Sequence, residues 1–407
     1  MTCSETSPSV FFASWHFYLD QSNGASISTR AVLLELARRG WQTSTLCGFA
    51  QDYQNPQTLD NILSARRCTP KKSIKRDSYI VTSFNDDGIK SLALVPERYR
   101  LIPTQRDVAS YLCLLKETLA CIKPDLLISY GGFSLGARIL ETSRRVGLKN
   151  AVFLHNLAYY DVRYFRNADC VFVPSRYAAD IYRSRLGLET IAIPPLIASS
   201  GNLFDSPEED DSDRNYVLFV NPELGKGVRY FIALAKECWL RRPGIRFLVA
   251  EGRAGRDSLL KHGKKLLQGA RNIDVAANTE NIDELYRRAR IVIVPSLYCE
   301  TFCRVAAEAI QRGVPVIASK RGATPEVVGA AGILLEIPDK YTPESNEVPT
   351  SDEISPWVET VLRLWDNASE RRELRRRGII QSKKWAYDDV ANAYERSFRA
   401  LIAEKLA

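Results

Sequence analysis

Apolar and polar positions along the chain fall into a repeating order: a short apolar run, a polar turn, then an apolar-rich stretch with helical spacing. Val10–Ser14 is the first run, Asp20-Gln21-Ser22-Asn23-Gly24-Ala25 the glycine-containing turn, and Ala31–Leu36 the helical stretch, closed by Arg38-Arg39-Gly40. Strand, turn and helix in that order place a helix N-terminus at the carboxyl end of a strand, where anions bind. The order recurs. Asp125–Ser129 follows Pro124, Ala151–Leu154 ends in His155-Asn156, and Cys170–Val173 leads through Pro174-Ser175 into a helix that Ser175 can cap. Strands alternating with helices predict a parallel sheet covered on both faces.

At Ser206–Asp213 the pattern breaks into an acidic stretch, SPEEDDSD, which reads as a linker or exposed loop. A second series follows, with strands at Tyr216–Val220, Arg246–Ala250, Ile291–Val294 and Val314–Ala318. The expectation is an α/β protein of two doubly wound, Rossmann-like domains facing across a cleft. The first occupies residues 1–197, the linker 198–214 and the second domain 215–380. A helix within 381–407, where apolar and charged positions alternate, is expected to cross back and pack on the first domain. A ligand would lie at the carboxyl ends of both sheets, in the cleft.

Composition narrows the chemistry. At 407 residues, 45% apolar and 26% charged, the chain has the make-up of a soluble protein of two or three domains. It contains no apolar run of about 18 residues, and the first ten positions lack the basic and apolar regions of a signal peptide. Nine cysteines without a CxxC pair, and only three histidines, leave little from which to build a zinc site. Scattered thiols of this kind point to a reduced, cytoplasmic setting. The net charge of +8 is spread over both halves and does not mark a nucleic-acid face. One cluster, Arg66, Arg67, Lys71, Lys72, Lys75 and Arg76, could meet an acidic acceptor or the inner face of a membrane; such runs are more often solvated loops. Asp211-Ser212-Asp213 has the spacing of a metal-binding DxD, but it lies in the acidic stretch with no adjacent strand and is read as solvated.

The most informative segment is Pro295-Ser296-Leu297-Tyr298-Cys299-Glu300-Thr301-Phe302-Cys303-Arg304-Val305-Ala306-Ala307-Glu308-Ala309, which follows one apolar strand and runs into a helix ended by Gly313. The helix is expected to start near Thr301, its N-terminus favouring an anionic group. Glu300 would precede it, and Glu308 would lie two turns in, about 12 Å further along the axis. Glu300, seven residues and Glu308, followed by Gly313-Val314-Pro315-Val316-Ile317-Ala318-Ser319 and Gly322-Ala323-Thr324-Pro325-Glu326-Val327, resemble the retaining glycosyltransferases of family four, with the GT-B fold. Phe219-Val220-Asn221-Pro222-Glu223-Leu224-Gly225-Lys226-Gly227 is similar to that family's phosphate-binding loop, and Leu285-Tyr286-Arg287-Arg288-Ala289 to the helix before its signature.

The resemblance implies transfer of a hexose-type sugar from a nucleotide diphosphate sugar, UDP-linked ahead of GDP-linked, with retention and without a metal or other cofactor. It assigns Glu300 to the sugar, Glu308 to the ribose, and Lys226 with the helix start at Thr301, Phe302, Cys303 and Arg304 to the diphosphate. His155 matches the family's histidine near the sugar, Gly24 its glycine beside the phosphates, and His16 is a candidate acceptor contact. The acceptor, a glycan, lipid, natural product or peptide, would bind the first domain. Two departures stand out. The first loop reads Asn23-Gly24-Ala25-Ser26 where the family has a Gly-Gly-Ala-Glu type run, and Asn221 replaces the family's phosphate-binding arginine. Arg304 and Arg253 are the candidate substitutes, Arg304 first. Two rivals remain: an epimerase or hydrolase on the same scaffold, and a non-catalytic nucleotide-sugar-binding subunit.

Overall fold

A computed structural model describes residues 7–52, 56–68, 70–130, 134–198, 211, 213–263, 271–279 and 281–404. The chain divides into two compact units, one of residues 1–196 with 388–407 and one of residues 197–387. Of the expected linker, residues 199–210 and 212 lie outside the described residues.

The first unit holds a nine-stranded sheet built from β1 (Ser9–His16), β2 (Gln42–Ala50), β3 (Pro70–Arg76), β4 (Tyr79–Asp86), β5 (Ile89–Pro96), β6 (Leu126–Tyr130), β7 (Lys149–Phe153), β8 (Cys170–Val173) and β9 (Ile191–Ala192). Their order is β3-β4-β5-β2-β1-β6-β7-β8-β9. Pairing is parallel from β5 to β9 and antiparallel where β4 meets β3 and β5. The β3–β5 meander goes beyond the purely parallel sheet expected from the sequence. Its signal is Asp87-Gly88, both at positive φ (46° and 96°), between two alternating runs.

Helix Gln105–Ile122 covers one face, burying Val108, Tyr111, Leu112, Leu115 and Leu119 against β1, β2, β4 and β6. The last helix, Tyr387–Ala403, also packs on this unit: Tyr394 and Phe398 meet Phe153 and Phe172, and Glu395 pairs with Arg39 at 2.8 Å. Ser175 caps helix Arg176–Leu186 by accepting from the Ala178 amide.

The basic cluster is a loop only in part. Arg66 and Arg67 end helix Leu59–Ala65, whereas Lys72, Lys75 and Arg76 stand exposed on β3, the edge strand. Lysines on an edge discourage sheet-to-sheet aggregation.

The second unit is a wholly parallel sheet of β10 (Tyr216–Val220), β11 (Arg246–Ala250), β12 (Ile273–Ala276), β13 (Ala289–Val294), β14 (Val316–Ser319) and β15 (Gly332–Leu335), in the order β12-β11-β10-β13-β14-β15. Its core joins Val217, Phe219, Ile291 and Ile293 to helices Val228–Arg241 and Ser351–Asp366, the latter through Trp357, Val358 and Val361. Among the described residues, no helix is long and apolar enough to cross a membrane.

Asp211 corrects the expectation of a solvated DxD. It is 5% exposed, its carboxylate receiving two bonds from Arg371 and a third from Arg375 at 3.2 Å. Burial pushes this carboxyl up, but the two guanidiniums outweigh it and hold the group below the usual aspartate range. The stability it contributes is therefore full above about pH 4 and lost as the pH falls through the depressed value. Removing one partner of a buried pair strands the other charges. Asp211→Ala should cost about 3–5 kcal/mol, read as a lower urea midpoint for the full chain. An unchanged midpoint would show that the arginines find other partners.

Candidate active site

Three strand ends of the second unit converge. The segment after β10 turns through the short 3₁₀ helix Leu224–Lys226 and then Gly227, the segment after β13 runs from Pro295 to Cys303, and the segment after β14 passes through Gly322. Backbone contacts fix them. Leu297 N donates to Gly225 O at 2.8 Å, and Ala323 N to Glu300 O at 2.7 Å. Two glycines permit this closeness. Both have positive φ, and a Cβ would fall 1.9 Å from Pro295 O at Gly227 and 2.4 Å from Glu300 N at Gly322.

That convergence brings Lys226 and Glu300 together, with Nζ 2.6 Å from Oε1, and the buried Ser296 hydroxyl donates to the same oxygen at 2.7 Å. Burial alone would push the Glu300 carboxyl up, but Lys226 and then Ser296 bring it below the ordinary glutamate value. Burial likewise works against the Lys226 ammonium, which Glu300 returns to above the ordinary lysine value. The pair is thus ionised across the neutral range. The Lys226 ammonium also lies 5.6 Å from the Tyr298 ring, whose hydroxyl donates to Glu223 at 3.0 Å.

The helix starts later than expected. It spans Arg304–Gln311, with Thr301 and Phe302 non-helical and Cys303 in the left-handed region at φ 59°. Glu308 is therefore one turn into the helix, and the 12 Å axial spacing does not apply. Cys303 is buried, its thiol pushed up to about 12 by burial and by Glu300, so it is a neutral neighbour of the site. No side chain caps this helix N-terminus. Glu308 accepts from the buried Tyr286 hydroxyl at 3.0 Å and from Arg304 at 3.0 Å, one bond to each carboxylate oxygen.

Asn221, in place of the expected arginine, shapes the loop. It sits at φ 62° and accepts from Ala254 N at 3.0 Å. Arg253 lies 3.7 Å from Glu223, on the same side of the loop. The structure thus gathers Lys226, Glu300, Thr301, Phe302, Cys303, Arg304 and Glu308 into one region of the second unit, with Asn221 on the segment that leads to Lys226 and Arg253 on the segment after β11.

The other candidates lie in the first unit. Gly24 opens helix Gly24–Arg38; its cap Asn23 accepts from Ala25 N at 2.8 Å and donates to Asp52 at 2.6 Å. His16 ends β1 with Nε2 3.8 Å from the other Asp52 oxygen. His155 follows β7, edge-on to Tyr130 and Phe153. The sequence reading missed Asp52 because it missed β2, the strand that delivers it. It also gave no role to Ser296, Tyr298, Glu223 or Tyr286. The one available signal was the Pro-Ser step directly after β13, where a buried hydroxyl meets the first glutamate.

Residues 203–344 match the family model described as glycosyl transferases group 1. Among curated proteins, the chain is similar to a lipopolysaccharide 1,2-N-acetylglucosaminetransferase of Salmonella typhimurium, 24% identical over 67% of this chain and 76% of that protein. Among solved structures it is similar to the sucrose-phosphate synthase of Thermosynechococcus elongatus, with a TM-score of 0.67 at 17% identity over 98% of this chain and 100% of the other. It is also similar to the pneumococcal O-GlcNAc transferase GtfA in complex with UDP and GlcNAc, with a TM-score of 0.68 at 11% identity over 97% and 99% of the two chains. At those identities the structural likeness shows the fold, which is GT-B. The group 1 glycosyl transferase match contains β10, β11, β12, β13, β14 and β15 and every second-unit residue of the candidate site.

Tyr286 and Arg304 act on the same carboxylate, so their effects should couple. Tyr286→Phe and Arg304→Ala should each lower the stability of the chain, and the double variant should differ from the sum by about 0.5–3 kcal/mol. Strict additivity of the stabilities in urea denaturation would separate the two contacts.

Proposed function

We propose that the protein is a retaining glycosyltransferase that moves a hexose-type sugar from a UDP-sugar to an acceptor hydroxyl without a metal. The observation that carries this reading is the part-buried Lys226–Glu300 pair beside the uncapped N-terminus of the helix bearing Glu308, at the carboxyl end of a parallel sheet. Donor assignment to UDP is supported by the UDP-bound structure of similar fold and by the acetylglucosamine named for the curated relative.

On this reading the Glu300 carboxylate accepts from a sugar hydroxyl, and Glu308, oriented by Tyr286, accepts from the ribose. The anomeric carbon–oxygen bond to the diphosphate breaks as the acceptor oxygen bonds to the same face. The acceptor's proton passes to an oxygen of the departing phosphate. Lys226 and the helix N-terminus stabilise the charge that develops there, the role a metal would otherwise fill. Asp211 does not supply such a metal site, since its carboxylate is engaged by Arg371 and Arg375.

Full activity in EDTA is expected, and complete loss restored by magnesium or manganese would overturn the electrostatic scheme. A thermal-shift series with UDP-, GDP- and ADP-sugars should move the melting transition most with a UDP-sugar. The product's anomeric proton coupling, read by NMR, should match that of the donor; inversion sinks the proposal of retention.

The two glutamates should separate kinetically. Glu308→Gln should chiefly raise KM, because ribose contacts are alike in the ground and transition states. Glu300→Gln should also lower kcat, by roughly tenfold or more, because it touches the reacting sugar. Identical, purely KM effects in both would remove the assigned roles.

A further inference from the structure

The first unit carries an exposed sheet edge that the proposed chemistry does not use. Its frame is the edge strand β3, with Lys72, Lys75 and Arg76 exposed. Beside the end of that strand runs the segment 97–104, which joins β5 to helix Gln105–Ile122; Lys75 reaches Glu97 at 3.5 Å across the junction. Within the segment Leu101 is 46% and Ile102 80% exposed, with Arg98 and Arg100 before them and Arg106 after. Ile74 and Ile80 on the outer strands are also exposed.

The charge balance has one sign. Against Lys72, Lys75, Arg76, Arg98, Arg100 and Arg106 stand the exposed carboxylates of Asp77, Glu97 and Glu117, two of them already paired with Lys75 and Arg76. Asp107 is buried and binds Arg100 at 3.0 Å. A single exposed isoleucine would need no explanation. Two adjacent apolar side chains at the tip of a segment, flanked by arginines and next to a lysine-bearing edge, form a different pattern. A protein partner would need to offer a pocket to a side chain as protruding as Ile102. A bilayer interface takes such side chains as they stand, while the basic groups meet lipid phosphates.

We propose that this edge and the adjoining segment dock on an anionic lipid bilayer, with Leu101 and Ile102 entering the headgroup region. The docking segment is tied to the first-unit site residues. Tyr99 donates its hydroxyl to Gln51 O at 2.6 Å, and the next residue, Asp52, binds Asn23 and faces His16. That an acceptor is drawn from the bilayer rests on the glycosyltransferase reading; the docking itself does not.

The test is sedimentation of the full chain with vesicles of phosphatidylcholine plus phosphatidylglycerol, and with phosphatidylcholine alone. The chain should pellet with the anionic vesicles at low salt, and not with the neutral ones. The double variant Leu101→Ser/Ile102→Ser and the charge reversal Lys72→Glu/Lys75→Glu should each lose at least about tenfold in vesicle affinity. Each should keep the wild-type melting temperature and the UDP-sugar thermal shift. If the double variant lacks a melting transition, the single exchange Ile102→Asn takes its place. Failure of the chain to pellet with either vesicle, or equal pelleting with both, overturns the proposal. Binding abolished by the charge reversal but indifferent to the apolar variants overturns it in favour of an acidic macromolecular partner. Because the donor-induced shift is measured on the same samples, loss of docking with the shift intact leaves the donor reading standing, and the reverse outcome leaves the docking standing.

Discussion

The candidate site of the second unit depends on a single part-buried contact, the ion pair between Lys226 and Glu300. Each partner belongs to the segment after a different strand, and the backbone of Glu300 is held by the segment after a third. A charge withdrawn this far from water is costly to leave without its partner, so rearrangement of one segment is resisted by the other two. The glycines at 227 and 322 serve the same end. They let main chain approach main chain, so the carboxylate is positioned by the fold rather than by flexible side-chain packing. Ser296 completes the carboxylate's coordination from within the core.

The helix that carries Glu308 has only eight residues, too short to persist on its own. Its order comes from contacts at both ends. At the front, Arg304 and Tyr286 fix Glu308. At the back, Arg312 bonds Glu308 O at 3.1 Å, Asp283 at 2.6 Å and Ala198 O at 3.3 Å, while its guanidinium lies over the Tyr286 ring. Arg375 bonds Gly313 O and Asp211. Ala198 and Asp211 both belong to the expected linker of residues 198–214, and each is fastened near the carboxyl end of the helix bearing the second glutamate.

Most strands of the two series were legible because period and punctuation agreed. Cys170–Val173, Tyr216–Val220 and Arg246–Ala250 stand in the structure with the bounds read from the sequence. The failures have physical causes. β2 was missed because Thr43, Ser44 and Thr45 dilute its apolar signal, although all three are buried. The helix start was misplaced because Cys303 adopts a left-handed conformation that its residue type does not advertise. Asp211 was misread because its partners, Arg371 and Arg375, lie more than 150 residues away. A charge cluster seen in one dimension cannot show whether its neighbours in space are water or arginine.

The exchange of an arginine for Asn221 changes the electrostatics of the site. The cations near it are Lys226, Arg253 and Arg304, and each has a carboxylate within ion-pair distance: Glu300, Glu223 and Glu308. Three positive groups against three negative ones leave the region balanced. On the proposed reading, a nucleotide diphosphate sugar adds two negative charges to this balance, and it must draw a guanidinium away from its carboxylate to be neutralised. The Arg253–Glu223 contact, at 3.7 Å, is looser than the Arg304–Glu308 contact at 3.0 Å, and Arg253 is more exposed than Arg304. Moving Arg253 also leaves Glu223 with the Tyr298 hydroxyl, whereas moving Arg304 removes one of the two bonds that orient Glu308. On the proposed reading, these contacts make Arg253 a competitor to Arg304 for the diphosphate.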